Sequence, residues 1–293
     1  MFERIALQTP VTFRYDGPLS SRQTVIVGIG SCFAAGITDR LFALGFAGAA
    51  NPTGIIYNAA SIAEVLEHVA ANAEYTAKDF FAANGLWHSW THHGRFSHAD
   101  QRTAITEANA ARRNFREQLR NAGLFLLTPS SSVVYRLIDT GKIVANCHKV
   151  PQEHFRREIL SATDNRQELE RAVTAIRQVN PKVRIIITLS PVRHYPGDLV
   201  LNARSKANIL AAIHEIADAH PDCCTYFPAY EIVHDELRDY RFFAADMLHP
   251  GELAERIVFE RFSAAFFDAD ARKFMVESEN RLKAAQHRPL HVD

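Results

Sequence analysis

The chain has 293 residues, of which 47% are hydrophobic, and this is enough to build a sizeable core. Lysine and arginine together number 33, and so do aspartate and glutamate, so no net charge attracts nucleic acid or an anionic membrane surface. The composition predicts a globular protein that binds neither partner.

The cysteines predict a reduced, cytoplasmic protein. Cys32, Cys147, Cys223 and Cys224 lack the paired spacing of a zinc site, and the adjacent pair is poorly suited to an ordinary disulfide. The first 11 residues lack the basic and apolar segments of an export signal, and no apolar run reaches 18 residues. We therefore expect no export, no membrane span, no metal and no cofactor.

The first predicted element follows a polar arm, residues 1–23, and consists of a strand, a tight turn and a helix. A β-branched run ends at Gly28 and Gly30, and apolar residues then recur at helical spacing. Ser31 and Cys32 therefore lie where a helix begins, and its free N–H groups and dipole favour negative charge. Either side chain is placed to be a nucleophile, and we expect a lowered pKa for the Cys32 thiol. Close packing of the helix on the strand explains the same glycines without chemistry.

The next segment predicts a short strand at 45–49 and a shaped loop at 51–58. In an alternating β–α fold, this loop opens beside the first turn, so the Gly54 N–H could point into the same site. An ordinary turn is the alternative reading. A helix is predicted over 61–73, with Ser61 as its N-cap and Glu64 completing a capping box.

Residues 74–121 are predicted to form an insertion that acts as a lid or substrate wall. Its part from 84 to 100 is a long aromatic and histidine-rich loop, whose spacing matches no recurring metal-ligand set. A helix over 103–120 completes the insertion.

The rest of the chain alternates strands and helices. Buried strands are predicted at 124–128, 183–189 and 223–227, with helices at 162–179 and 202–219. The first of these strands ends in a run of serines at 130–132, and the second ends in a loop that contains Ser190, Arg193 and His194. Because parallel strands end at one edge of a sheet, these loops are expected to meet. A hairpin over 133–137 and 142–145 delivers Asn146, and Lys206 lies near the start of the later helix.

A late motif, Asp246-Met247-Leu248-His249-Pro250, carries the candidate base. Pro250 is predicted as the first residue of a helix that extends to about 267, so His249 lies just outside its positive end. That position disfavours the protonated imidazole, and Asp246 can turn back to hold one ring nitrogen. A histidine that merely caps the helix is the alternative. Residues 268–293 are predicted to be a helical tail or an oligomer contact.

Together these residues carry a family resemblance. Gly30-Ser31-Cys32-Phe33-Ala34 is the sequence for which the bacterial GSCFA family is named, and the chain resembles that family over most of its length. Further matches are 51–58 (NPTGIIYN), 145–149 (ANCHK), 190–194 (SPVRH), 226–231 (YFPAYE), 239–242 (DYRF) and 246–250 (DMLHP). The family is in turn similar to the SGNH or GDSL-like hydrolases. The resemblance implies a single flavodoxin-like α/β/α domain with a mainly parallel sheet and helical or loop insertions.

The resemblance also implies roles for individual residues. Asp246 and His249 become the acid and base of a triad, and Gly54 becomes the second oxyanion donor. Aligning Gly30-Ser31-Cys32 with the Gly-Asp-Ser signature makes Cys32 the nucleophile, whereas a shift by one residue restores Ser31, so both stay open. The Gly-x-Asn-Asp block is absent, which leaves Asn146 as a candidate oxyanion donor.

The expected activity is acyl-ester hydrolysis through a covalent acyl-enzyme, with a small-molecule or carbohydrate ester as substrate. An acyltransferase that modifies cell-surface polysaccharide from an acyl thioester is one alternative. A non-catalytic carbohydrate-binding protein is another. Substrate-binding candidates are Ser190, Arg193, His194 and Lys206. The two cationic side chains among them, Arg193 and Lys206, could instead pair with local carboxylates. The sequence does not predict the oligomeric state.

Overall fold

A computed structural model describes residues 9–194 and 198–286 of the chain. Its centre is a sheet of five strands in the order β10-β9-β5-β1-β2, and every pair in it is parallel. The main strands are β1 (Val25–Gly30), β2 (Gly48–Ala50), β5 (Ala122–Thr128), β9 (Arg184–Ile187) and β10 (Cys224–Tyr226). Two small antiparallel sheets are formed by β3 (Phe81–Ala83) with β4 (Leu86–His88), and by β6 (Val133–Leu137) with β7 (Ile143–Val144) and β8 (Phe155–Ile159).

Helices cover both faces of the central sheet. They are α1 (Cys32–Ala43), α2 (Ala59–Ala70), α3 (Gln101–Asn121), α4 (Ala162–Val179), α5 (Leu199–Ala219), the short α6 (Ala229–Glu231), α7 (Glu252–Phe266) and α8 (Ala269–Gln286). Short 3-10 helices occupy 77–79, 94–96, 152–154 and 240–242, and a π-helix occupies 232–237.

The alternation of side chains along the strands divides the core into two layers. In β5, Phe125 and Leu127 pack on one face with α2, α3, α4 and α5, whereas Leu124 and Leu126 pack on the other with α1, α7 and α8. This is the two-residue period of a strand that is buried on both sides. The predicted three-layer α/β/α fold with a parallel sheet is confirmed.

Four predicted helix starts differ from the structure: α3 begins at Gln101 instead of 103, α5 begins at Leu199 instead of 202, and α2 and α7 also begin at other residues. Helix α2 begins at Ala59, and its N-cap is Asn58, whose side chain accepts the Ser61 N–H at 2.8 Å. Ser61 is itself buried inside the first turn, so the predicted capping box does not form. Helix α7 begins at Glu252, with Gly251 as its N-cap, because Pro250 instead forms an antiparallel bridge with Phe243.

The predicted insertion at 74–121 divides into two parts. Its first part holds the β3–β4 hairpin, which the sequence analysis missed. Its second part, α3, belongs to the main helical layer, since Phe115 and Leu119 lie in the core. The role of the first part as a lid stays a prediction.

The N-terminal arm pairs with the segment between α7 and α8. In the predicted arm, the Ser20 N–H donates to the Phe266 carbonyl at 2.7 Å, and the Ser20 carbonyl accepts the Asp268 N–H at 3.0 Å. The predicted tail is helix α8, which places Met275 in the core. Residues 1–8 of the arm and 287–293 of the tail lie outside the described residues. Among the described helices, none is long and apolar enough to cross a membrane.

Candidate active site

The turn after β1 presents Cys32 and hides Ser31. Ser31 is the N-cap of α1, but its side chain is fully buried, makes no capping hydrogen bond and has no hydrogen-bond partner among the described residues. Cys32 is the first residue of the helix and is half-buried. The first intrahelical bond runs from the Ala35 N–H to the Ser31 carbonyl, which leaves the N–H groups of residues 32–34 at the open helix end.

The Cys32 thiol does not have the lowered pKa that the sequence analysis predicted. Burial raises its pKa above the ordinary value, because desolvation penalises the thiolate. The N–H groups of Phe33 and of Cys32 itself, together with the Lys206 cation, act in the opposite direction but are outweighed. Glu255, on the first turn of α7, adds to the increase. The N–H groups at the helix end therefore offset part of the increase in the Cys32 pKa that desolvation causes, and they do not reverse it.

The loop after β2 supports the nucleophile turn through Asn51. Its side-chain oxygen accepts the Gly30 N–H at 2.9 Å, and its own N–H donates to the Gly28 carbonyl at 2.9 Å. Gly54 has φ +90°, and its N–H donates to the Asn51 carbonyl at 2.9 Å. The Gly54 N–H is therefore engaged within its own turn, unlike the free oxyanion donor implied by the family resemblance. The Asn51 side chain was missed by the sequence analysis, although the loop was recognised.

Tyr57 joins the loop after β2 to the serine loop after β5. Its carbonyl accepts the N–H groups of Ser130 and Ser131 at 2.7 and 3.0 Å. The ring is 40% exposed and lies edge-on to the His194 imidazole, with ring centroids 5.0 Å apart. Burial and the nearby Cys32 both raise the pKa of the Tyr57 phenol. The sequence analysis did not single out Tyr57.

His194 lies at the same edge and is kept neutral by burial. Its Nε2 is hydrogen-bonded to the Ser130 hydroxyl, and its backbone N–H donates to the Asn202 side chain at 3.1 Å. Desolvation lowers the pKa of His194 to about 3, with further contributions from Lys206 and His249. The imidazole is therefore a neutral hydrogen-bonding group across the ordinary pH range.

Lys206 projects from α5 to the ends of two core strands. Its Nζ donates to the Ser130 carbonyl at 2.7 Å and to the Ser190 carbonyl at 2.6 Å, while the Ser130 hydroxyl lies 3.4 Å away. The side chain is buried, and desolvation lowers its pKa to about 7. Ser190 is also buried, so its contribution to the site is this carbonyl.

Arg193 ties the loop after β9 to the late Asp–His motif. Its N–H donates to the Leu248 carbonyl at 3.0 Å, and its guanidinium lies 4.3 Å from the centre of the Phe243 ring. This contact is a cation–π interaction. Arg193 thereby fixes the approach of residues 246–249 to the sheet edge.

Asp246 and His249 form a hydrogen-bonded pair. The His249 Nδ1–H donates to Asp246 Oδ2 at 2.6 Å, and Asp246 Oδ1 accepts the N–H groups of Leu248 and His249 at 2.9 and 3.0 Å. These bonds lower the pKa of Asp246 to about 2. The arrangement fixes the tautomer whose Nε2 is unprotonated and can accept a proton.

His249 and Cys32 share Glu255 as a charged neighbour. Glu255 interacts electrostatically with both groups, and His194 interacts with His249. No hydrogen bond joins the His249 imidazole to the Cys32 thiol in the described part of the chain. Nearly half of each side chain in the Asp246–His249 pair is exposed, so the imidazole faces solvent.

Asn146 is occupied in its own loop. Its side-chain oxygen accepts the His148 N–H at 2.8 Å, and the His148 ring packs on His88, with centroids 4.5 Å apart. The contacts of this loop run to the β3–β4 hairpin, as when His148 Nε2 bonds the Ser89 carbonyl at 2.8 Å. These contacts do not connect Asn146 with Cys32.

Among the residues that the structure describes, one cluster of potential metal ligands lies near the opposite edge of the sheet. It comprises His220, Asp222 and Cys223. The Arg177 guanidinium already donates to Asp222 at 2.7 Å and to Cys223 at 3.0 Å, and Glu170 bonds His220 at 2.8 Å. The positively charged Arg177 guanidinium therefore already occupies the place that a metal ion would take in this cluster.

Comparison with known proteins identifies the sequence family. A model of the GSCFA family matches residues 25–262. No curated protein matches the sequence significantly. The structure is similar to a carbohydrate esterase family 3 protein from Talaromyces cellulolyticus (10% identity, 88% of this chain, 99% of that chain, TM-score 0.38) and to an acetyl xylan esterase from Butyrivibrio proteoclasticus (12% identity, 92% of this chain, 66% of that chain, TM-score 0.39). At these scores, neither neighbour bears on the activity of this chain.

Proposed function

The chain belongs to the GSCFA family, and on that premise we propose that it is an acyl-ester hydrolase with Cys32 as its nucleophile and His249, held by Asp246, as its acid and base. The observation that carries the proposal is the Asp246–His249 hydrogen bond at the sheet edge where an open helix end presents Cys32. A base oriented by a carboxylate beside a nucleophile at a helix end is the arrangement of acyl-transfer catalysis.

Accessibility favours Cys32 over Ser31. The Ser31 hydroxyl is fully buried and, in the part of the chain that the structure describes, has no hydrogen-bond partner to act as its base. The Cys32 sulfur is half-buried and faces the N–H groups of the helix end. A thiol is also more nucleophilic than a hydroxyl at neutral pH.

In the proposed first step, His249 Nε2 takes the thiol proton and the sulfur bonds to the ester carbonyl carbon. The carbonyl oxygen gains the negative charge, which the N–H groups of Cys32 and Phe33 stabilise at about 3 kcal/mol per donor. The intermediate then breaks its bond to the alcohol oxygen, and this oxygen receives the proton from His249. The product is a thioester on Cys32.

Water completes the proposed reaction. His249 takes one proton from the water molecule, whose oxygen attacks the thioester carbonyl carbon. The carbon–sulfur bond breaks, the proton returns to the sulfur, and the carboxylic acid leaves. A sugar hydroxyl in place of water gives acyl transfer by the same steps, so hydrolysis and transfer differ in the acceptor that reaches the thioester.

The test is hydrolysis of p-nitrophenyl acetate by the wild type and by Cys32→Ala, Ser31→Ala and His249→Ala. We expect Cys32→Ala and His249→Ala to lose at least a hundredfold in kcat/KM and Ser31→Ala to retain most activity. Cys147→Ala is the matched control, because Cys147 is also half-buried but lies on the loop of Asn146.

Three outcomes would redirect the proposal. Loss of activity in Ser31→Ala but not in Cys32→Ala transfers the role of nucleophile to Ser31. Acetylated sugar formed when a sugar acceptor is added favours the acyltransferase. A wild type that hydrolyses no ester, but binds carbohydrate equally well before and after His249→Ala, favours the binding protein.

A further inference from the structure

A cleft lies between α1 and α7, the two helices that follow the proposed nucleophile and the proposed base. Its volume is about 40 Å³. The residues that line it are Phe33, Gly36, Ile37, Arg40, Glu255 and Phe259. A space of this size takes a few water molecules or a chain of a few carbon atoms.

Apolar side chains form the floor of this cleft. Phe33, Ile37 and Phe259 belong to one core cluster, and each is at most 8% exposed. The half-buried Cys32 packs against the same cluster. The Arg40 guanidinium lies over the Phe259 ring, 4.3 Å from its centre, and so extends this wall of the cleft. The floor therefore favours an apolar ligand over a charged one.

Helix geometry connects Cys32 with the cleft. Cys32 and Gly36 are four residues apart in α1, so they lie on the same face of the helix, about one turn from each other. Across the cleft, Glu255 lies in the first turn of α7, which begins three residues after His249. The cleft therefore starts at the nucleophile end of α1 and at the base end of α7.

Gly36 leaves the part of the cleft next to Cys32 empty. Side chains of an α-helix lean toward its N-terminus, so a side chain at position 36 would extend toward Cys32. Among the described residues, a Cβ added to Gly36 would meet no neighbouring atom within 4 Å. Glycine is otherwise unfavourable inside a helix. The missing side chain keeps space open beside the sulfur.

We propose that this cleft binds the part of the substrate's acyl chain beyond the carbonyl carbon, and that Gly36 is the residue that keeps it open to that chain. The inference rests on the proposed function and deepens it, since it assigns a binding site to one half of the ester. When the acyl group is bonded to the Cys32 sulfur, its chain extends along the α1 face that Cys32 shares with Gly36. There it covers the apolar floor of the cleft.

The first measurement is kcat/KM for p-nitrophenyl acetate and p-nitrophenyl butyrate, expressed as the butyrate-to-acetate ratio. Leucine at position 36 fills the cleft, so Gly36→Leu should lower this ratio at least about tenfold, mainly through the butyrate value. Gly36→Ala adds a single methyl group and should lower the ratio about threefold. Both variants are expected to fold, because replacement of glycine favours the helix.

Asp39→Leu is the matched control. It adds a leucine to an exposed position of α1 that does not line the cleft. Its ratio should stay within about twofold of the wild type. An equal fall in Asp39→Leu and Gly36→Leu overturns the proposal, because the effect would then not depend on the cleft.

A second measurement needs no ester turnover. Methyl and butyl methanethiosulfonate transfer their alkyl group with its sulfur to a thiol: the Cys32 sulfur attacks the divalent sulfur, a disulfide forms, methanesulfinate leaves and the thiol proton goes to solvent. Mass spectrometry of the Cys32 peptide gives the two rates. The butyl-to-methyl ratio should fall about tenfold in Gly36→Leu. Cys147, another half-buried thiol, is the internal control, and its ratio should not change.

The two measurements separate the cleft from the hydrolase. If the wild type hydrolyses esters, the ester ratio decides, and a fall of less than twofold in folded Gly36→Leu overturns the cleft while the hydrolase stands. If the wild type hydrolyses no ester, the thiosulfonate ratio decides by the same limit, and a tenfold fall supports the cleft although the hydrolase is lost. If Gly36→Leu does not fold, Gly36→Ala decides, and an unchanged ratio overturns the proposal.

Discussion

Replacement of Asp246 by Asn separates the catalytic role of this residue from its structural role. The carboxylate accepts three hydrogen bonds, of which Oδ1 takes two, from the Leu248 and His249 N–H groups. An amide oxygen can accept both of these. The third bond, from His249 Nδ1–H to Oδ2, cannot survive, because the amide nitrogen that replaces Oδ2 is itself a donor.

The expected effect on activity follows from the tautomer. Facing an amide N–H, His249 Nδ1 must become an acceptor, and the ring proton moves to Nε2. The imidazole then presents a proton to the nucleophile instead of a lone pair, so base catalysis is lost. Asp246→Asn should reduce kcat by about 10³-fold, while the thermal midpoint stays within about 2 °C because the loop keeps two of its bonds.

The assay is hydrolysis of p-nitrophenyl acetate at pH 7.5, together with a thermal unfolding scan. Asp239→Asn is the matched control, because Asp239 also accepts a neighbouring N–H, that of Arg241 at 2.8 Å, and is hydrogen-bonded to no histidine. It should retain activity within about twofold. An Asp246→Asn variant that keeps a third or more of the wild-type kcat refutes the reasoning about the tautomer.

Three further predictions concern stability and the arm. Gly54→Ala should lower the free energy of unfolding by about 3 kcal/mol in urea, because φ is +90° and the new Cβ would lie 2.2 Å from His93 Cβ. Gly141→Ala is the control, since Gly141 has φ +70° in open space, and it should lower the free energy of unfolding by about 1 kcal/mol. Equal losses in the two variants would contradict this reasoning. Burial lowers the pKa of His92 to about 3, so only the unfolded chain takes up its proton between pH 6.5 and 3, and stability should fall as the pH falls through this window. His92→Phe should reduce that slope by up to about 1.4 kcal/mol per pH unit in urea titrations, whereas an unchanged slope would show that His92 does not contribute. The Arg184 guanidinium donates hydrogen bonds to the Pro18 carbonyl and the Ser20 hydroxyl of the arm. Arg184→Gln should therefore speed tryptic cleavage after Arg22 about tenfold in limited proteolysis. An unchanged rate would mean that other contacts hold the arm.

Much of the fold was predictable because its strands are buried on both faces. The apolar runs at 124–128 and 183–189 have no polar face, which is typical of parallel strands covered by helices. The β3–β4 hairpin was missed because each of its strands has only three residues, which is too short to show a periodic pattern. Strand β8 was missed because three of its five residues are charged and its pairing partner, β6, lies earlier in the chain. Helix starts also failed, as at Asn58, where the choice among adjacent capping residues depends on tertiary packing.

The site was predictable in its motifs and less so in its electrostatics. The position of Cys32 and the pairing of Asp246 with His249 follow from local chain geometry, so sequence spacing was informative. The raised pKa of Cys32 was not predictable, because the desolvation that outweighs the helix end depends on groups far away in the sequence. Lys206 illustrates the same limit, since its sequence position on a helix does not reveal that two carbonyls enclose it.

The order of the site residues along the chain has a consequence for biosynthesis. Because synthesis proceeds from the N-terminus, β1 and Cys32 leave the ribosome before the Asp246–His249 pair and α7, which lie later in the chain. A nascent chain can therefore expose the thiol at a helix end while it has no base to work with. The proposed chemistry can begin only after the segment that carries Asp246 and His249 has docked, which ties the onset of activity to the folding of that segment.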